Sequence, residues 1–174
     1  ILEHSAADLK AMRRLNEIGT RCARDGDDIP RCLQELLDVA IEISGAQKGN
    51  IQIVDRNTSR LTMIAEHGFQ PAFLGFFADE TPFSACGKAI ETQQRVIVED
   101  VRQSALFVGA PSLRVLLDAN VLAVQSTPLI SSAGHVLGVI STHFENPRRP
   151  SEQEIRLMDL LARQAADYLE RKRV

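Results

Sequence analysis

The chain has 174 residues, of which 44% are hydrophobic and 25% charged, and its formal net charge is -3. That is enough for one domain with a sizeable core, and without a basic stripe nucleic acid is not the expected partner. No apolar run approaches the roughly 20 residues of a membrane span, the first residues read as a polar helix rather than a signal peptide, and a cytoplasmic location is expected.

The cysteines are Cys22, Cys32 and Cys86. Their odd number and the absence of a CxxC pair argue against a disulfide framework and a zinc site, and fit a reducing compartment.

Residues 2–24 have helical spacing, with Ala11, Leu15, Ile18 and Cys22 on one face. Asp28 and Pro30 are start residues for a second helix. It carries Leu33, Leu36, Leu37, Ala40, Ile41 and Ile43 and should stop at Ser44-Gly45. The period then changes to two. Ile51 and Ile53 alternate with Asn50, Gln52 and Val54, and after a turn Leu61, Met63 and Ala65 alternate with Thr62 and Glu66, which predicts a β-hairpin ending at His67-Gly68. Residues 69–94 are mixed, with short helices expected at Pro71 to Phe77 and at Ser84 to Thr92, where Ser84 could cap. A short strand at Arg95 to Glu99 follows. Ser104 to Ala119 reads as a helix or helical loop broken at Gly109-Ala110-Pro111. Residues 121–144 form two more strands. The last helix opens with a capping box in which Ser151 bonds the Glu154 amide and Glu154 reaches back. Strands joined by hairpins, with helices before and after, predict an α+β fold on an antiparallel sheet.

In this order the segments resemble the GAF domain family over residues 30–171. The residues that carry the likeness are Lys48-Gly49-Asn50-Ile51-Gln52-Ile53, His67-Gly68-Phe69, Gly87 and Ala89 before Val96-Ile97-Val98-Glu99-Asp100, Val121 to Ile130, Leu137-Gly138-Val139-Ile140, and Arg149-Pro150-Ser151-Glu152. The wording looks most like GAF domains attached to bacterial sensor histidine kinases. The resemblance implies a six-stranded antiparallel sheet. The N- and C-terminal helices would cover one face, and a helical and loop insert would make a small-molecule pocket on the other. It also implies an N-terminal signalling helix at 1–28, a GAF domain at 29–174 that includes the helix 151–174, and an effector beyond residue 174.

Residues 121–144 hold an unusual row of polar groups. With the turn centred near Ala133, Gln125 would lie opposite Ser141 and Ala123 opposite His143. Gln125, Thr127, Ser141 and His143 would then share the pocket face, with Leu122, Val124, Ile130, Val136, Ile140 and Phe144 under the helices. Buried polar atoms need partners, which either a ligand or the insert's own backbone could supply. Phe76, Phe77 and Phe107, in a phenylalanine-rich group with Phe69, Phe73 and Phe83, are expected to line this pocket, as is Cys86. His143 occupies a place similar to that of the strand histidine facing the pigment in phytochrome-type GAF domains. A covalent bilin is not expected, because Ala110-Pro111-Ser112-Leu113 lacks the attachment thiol. A cyclic-nucleotide motif is also absent, and the ligand or cofactor is left open.

On the last helix Ile155, Met158, Ala162, Ala165 and Leu169 form one stripe, and Leu157, Leu161 and Tyr168 a second. Either the two merge into one wide buried face or a partner subunit takes the second. The homodimer contact expected on the latter reading is Leu15, Ile18, Cys22, Leu157, Leu161 and Tyr168. The function expected is a non-catalytic, sensory domain of a signal-transduction protein such as a histidine kinase. The alternatives are a structural dimerisation module and a thiol-dependent reductase, similar to the free methionine-sulfoxide reductases, centred on Cys86.

Overall fold

A computed structural model describes residues 6–24, 28–55, 57–58, 60–78 and 85–172. Phe83 and the possible cap Ser84 lie outside the described residues. The elements in order are α1 (Ala6–Arg24), α2 (Ile29–Ser44), β1 (Lys48–Val54), β2 (Leu61–His67), α3 (Pro71–Ala78), α4 (Ala85–Thr92), β3 (Val96–Val98), α5 (Pro111–Asp118), β4 (Ala123–Ile130), β5 (Val136–Phe144) and α6 (Glu152–Lys172). The strands form one antiparallel sheet in the order β2-β1-β5-β4-β3. The described residues therefore hold five strands rather than the six that the resemblance implied.

Local chemistry sets the helix ends. The Asp28 carboxylate accepts the Arg31 amide at 3.3 Å and caps α2. Gly45 ends that helix at φ 73°, in the left-handed region that glycine enters without a Cβ penalty. At α6 the Glu154 amide donates to Ser151 Oγ at 3.1 Å, which is half of the expected capping box. The Glu154 carboxylate is instead held by Arg148 at 2.7 and 2.8 Å. Arg148 also donates to the Ser44 carbonyl at 3.0 Å and lies over the Phe144 ring at 4.3 Å. A charged guanidinium whose Nη2 reaches both carboxylate oxygens, stacked on a ring, outcompetes the back-reaching bond of a cap, and here Arg148 ties α2, β5 and α6 together.

Helices α1, α2 and α6 form one layer against the sheet. Its core joins Leu15, Ile18, Leu33, Leu36, Leu37, Met158, Leu161, Ala165 and Leu169 to Ile51, Leu129, Leu137 and Ile140. Both stripes of α6 are used inside the protomer. Leu157, Leu161 and Tyr168 are buried, as are Leu15, Ile18 and Cys22. The second neighbour of α6 is the chain's own α1, whose Leu15 carbonyl accepts from Gln164 Nε2 at 2.6 Å. The two stripes thus merge into one wide buried face, the first of the two readings of the pattern, and these six residues are not on the surface.

The sequence reading of the cysteines is corrected as well. Cys22 on α1 and Cys32 on α2 form a disulfide, with Cα atoms 5.9 Å apart. Spacing alone did not reveal it, because the pair spans a break between two helices whose facing surfaces only the tertiary fold brings together.

The β4–β5 register also departs from expectation, for a visible reason. At the turn Ile130 pairs with Val136, as a centre at Ala133 requires. A bulge between Leu129 and Ile130 then shifts the pairing by one residue, so Leu129 meets Gly138, Ser126 meets Ser141 and Val124 meets His143. Next to this bulge Gly138 presses on β1. A Cβ there would overlap the Gln52 carbonyl oxygen and come within 3.1 Å of Ile53 Cα. Gly138→Ala is expected to cost about 2 kcal/mol through forced backbone displacement, read as a lower urea midpoint with an unchanged m-value. An unaltered midpoint would mean that the two strands separate freely at this point.

Candidate functional site

The one-residue shift splits the expected polar row between the two faces of the sheet. Ser141 and His143 remain on the insert face and are joined there by Ser126 and Val124. Gln125 and Thr127 turn to the helix-covered face, where Gln125 Nε2 and Thr127 Oγ1 are buried without hydrogen-bond partners among the described residues. They are removed from the expected site. Strand β1 supplies their replacements, because Asn50 pairs with Ser141, Gln52 with Val139 and Lys48 with His143.

Asn50, Ser141 and Ser126 therefore form a row across three strands, and α4 places Cys86 over it. Cys86 Sγ lies 2.9 Å from Ser141 Oγ and 3.9 Å from Ser126 Oγ, and the two hydroxyls are 2.5 Å apart. Gln52 Nε2 donates to the sulfur at 3.4 Å and to Asn50 Oδ1 at 3.5 Å. This chain of contacts satisfies most of the polar groups that a buried strand surface would otherwise strand.

A cavity of about 20 Å³ lies beside the cluster. Asn50, Gln52, Phe73, Phe77, Cys86, Phe107 and His143 line it, with Ala85, Leu116 and Val124. It has room for about one water molecule. Of the residues expected from sequence, Phe73, Phe77, Phe107, Cys86 and His143 reach this cavity, and Ser141 sits beneath it through Cys86. Phe76 instead packs edge-on against Phe77 at 5.1 Å. Asn50, Gln52 and Ser126 were missed. The signal for the first two was present, since they are polar residues alternating with isoleucines in a strand that turns out to be interior.

His143 is the electrostatic feature of the site. It is 5% exposed, and its Nδ1 has no hydrogen-bond partner among the described residues. Phe69 and Phe73, themselves stacked at 4.3 Å, meet its ring edge-on at 4.9 and 6.1 Å. Burial, and then the positive charge of Lys48, push its pKa down to about 3. The imidazole is thus neutral at physiological pH and can offer one donor and one acceptor.

The floor of the site is wired to α6. At the β4–β5 turn the Ser132 amide and hydroxyl donate to Asp167 at 2.7 and 2.8 Å, Ser131 Oγ donates to Glu170 at 3.2 Å, and His135 Nδ1 also bonds Glu170. Burial pushes the Asp167 carboxyl up. The Ser132 hydrogen bonds, with Arg163 and Arg171, outweigh that and hold it below the usual carboxylate range.

Among the described residues no group of three or more His, Cys, Asp or Glu side chains could hold a metal ion, and no helix is long and apolar enough to cross a membrane.

Comparison with known proteins gives a consistent picture. The fold is similar to a two-component sensor histidine kinase domain from Sinorhizobium meliloti, with a TM-score of 0.69 and 18% identity over 86% of this chain and 95% of that one. It is similar to the GAF domain of an Acinetobacter phosphoenolpyruvate-protein phosphotransferase, with a TM-score of 0.73 and 14% identity over 97% and 96% of the two chains. It is also similar to a Neisseria meningitidis free methionine-R-sulfoxide reductase in complex with its substrate, with a TM-score of 0.71 and 19% identity over 99% and 95%. No curated protein sequence matches the chain. The GAF domain family model matches residues 26–170, and the chain belongs to that family.

Proposed function

We propose that this is a regulatory domain of a signal-transduction protein, non-catalytic in itself. A small molecule under the insert would bias the packing of the terminal helices. The single observation that carries this reading is His143, a neutral, buried imidazole beside a cavity whose Nδ1 has no partner among the described residues. Such an atom is costly unless something occupies the site for part of the time. The bonds from the β4–β5 turn to Asp167 and Glu170 supply a route by which movement of β5 would reach the last turns of α6. This is a coupling between two sites through a shared element. The likeness to the Sinorhizobium kinase domain supports a histidine kinase as the effector beyond residue 174, with residues 1–28, which contain α1, as the input segment and residues 29–174 as the sensor.

Homodimerisation belongs to the same proposal, but through different residues from those expected. Leu9 and Met12 on α1 and Leu160 on α6 are 53%, 37% and 51% exposed. They offer a second copy an apolar surface on the helix layer. Native mass spectrometry of the purified protein, paired with a denaturing spectrum, tests both parts. The expected result is a dimer carrying extra mass that is lost on denaturation. A monomer without added mass would overturn the reading. A dimer without added mass would favour the structural-module alternative.

A reductase centred on Cys86 is the second reading, favoured by its contacts to Ser141 and Gln52 and by the Neisseria likeness. Against it, Cys22 and Cys32 are bonded to each other in the helix layer on the opposite side of the sheet. Neither is placed to resolve an oxidised Cys86. Methionine-sulfoxide turnover that disappears in Cys86→Ser would establish this reading instead.

A further inference from the structure

A larger cavity, of about 300 Å³, lies on the opposite side of the sheet from the Cys86 cluster, where α6 packs on β4 beside the edge strand β3. Gln93, Arg95, Thr127, Asp159, Ala162 and Arg163 are in its walls. Its volume stands at the small end of the range for ligand pockets, roughly 300 to 1,000 Å³.

The strand register builds the floor. Val96 pairs with Ser126, and the next step of that antiparallel ladder sets Arg95 opposite Thr127, so their side chains rise from one face. Thr127 is 4% exposed. Its Oγ1 and Arg95 Nε are both buried, and neither has a hydrogen-bond partner among the described residues. Gln125 and Thr142, paired across β4 and β5 behind Thr127, leave Nε2 and Oγ1 in the same condition. All four groups can donate a hydrogen bond. Buried donors without acceptors are costly, and the ligand that answers them is one rich in acceptors.

The charges point the same way. Arg95 meets Asp159 of α6 through Nη2, which leaves its Nε–H unused. Asp159 is exposed, and an exposed partner is readily exchanged. Arg163, one turn along α6 from Asp159, brings a second guanidinium to the wall, and its charge also reaches Asp167. Two cations thus face one carboxylate. A guanidinium edge of Nε–H and Nη–H matches two oxygens of an oxyanion. A tetrahedral anion has further oxygens for Arg163 and Thr127, which a carboxylate lacks. We propose that this cavity binds a phosphate group, free or at the end of a small monoester, with Arg95, Arg163 and Thr127 Oγ1 donating to it and Asp159 displaced. Occupancy would then replace a direct tie between α6 and the sheet edge by a bridged one. The site stands apart from the insert cavity and from the role given to His143.

The test uses the intact chain labelled with 15N-arginine, titrated with inorganic phosphate, glycerol phosphate or acetate at an ionic strength held constant with chloride. The Arg95 Nε–H signal, identified by its loss in Arg95→Lys, should shift with a phosphate Kd of about 1 mM or tighter, and acetate should bind at least about tenfold more weakly. Tighter binding of glycerol phosphate would assign the site to a monoester, and equal or weaker binding to the free ion. Thr127→Val should weaken phosphate about tenfold without loss of stability, because the hydroxyl it removes has no partner among the described residues. Arg163→Gln, at an exposed position, should weaken it by a similar factor and serves as the second variant should the first fail to fold. Asp159→Asn should tighten phosphate by about threefold or more, since it removes the competitor for Arg95. The proposal is overturned if about 20 mM phosphate leaves the Arg95 signal in place, if acetate matches phosphate, if Thr127→Val and Arg163→Gln bind as the wild type does, or if Asp159→Asn weakens binding.

Discussion

Between pH 6.5 and pH 4 the wild-type domain should lose about 3 kcal/mol of folding stability that a His143→Phe variant does not lose. The unfolded imidazole takes up its proton near its ordinary value of 6.5, whereas the folded one stays neutral down to about 3. In that window the unfolded state binds one proton more, so stability falls as pH falls, by about 1.4 kcal/mol per pH unit for a single site. Well above pH 6.5, from about pH 7.5, both states are neutral and the contribution is flat. Burial is the larger cause of the shift and the charge of Lys48 the smaller, so Lys48→Met should remove only a minor part of the slope. Phenylalanine preserves the ring that Phe69 and Phe73 contact edge-on and removes the unpartnered Nδ1. The measurement is the urea unfolding free energy against pH for both proteins. Carboxylates contribute to both curves, so the difference between the curves isolates His143. Parallel curves would mean that water reaches the imidazole in the folded protein and that the site is open.

The fold was legible wherever a single residue type has a local physical consequence. Asp28, Gly45 and Ser151 marked helix ends that the structure confirms, and the switch from a period near 3.6 to a period of 2 located β1 and β2. The orientation of the polar row was less accessible. Strands β4 and β5 are buried almost throughout, so alternation carries no sign that distinguishes the helix face from the insert face. One extra residue at the Leu129/Ile130 bulge then decided which of Gln125 and Ser126 joined the cluster. The destination of Glu154 depended on Arg148 arriving from a loop. The use of the second α6 stripe depended on α1, whose docking place no local pattern encodes. In each case the missing information was a long-range contact competing with a plausible local one.

The Cys22–Cys32 disulfide leads to the second large effect. Both sulfurs sit in the helix-layer core, 3% and 2% exposed, and ten positions separate them in sequence. By the chain-entropy account, closing a loop of that size stabilises the fold by about 3 kcal/mol. Cys22→Ala/Cys32→Ala, or the wild type held in excess reductant, should therefore unfold at a correspondingly lower urea concentration. The loss should not be uniform. Without the covalent tie, α1 is held by Leu15, Ile18 and the Gln164 bond to its backbone, whereas α2 is anchored by Leu33, Leu36 and Leu37 against the sheet. Amide exchange should accelerate first across residues 15–22, with the amides of α2 keeping the protection of global unfolding. Because the bond is buried, reduction should also be slow and limited by opening of the helix pair, so its rate should rise with subdenaturing urea. Equal stability of the oxidised protein and the double variant would show that the helix pair docks without the bond. A thiol count of three on the unfolded, unreduced protein would show that the bond does not form.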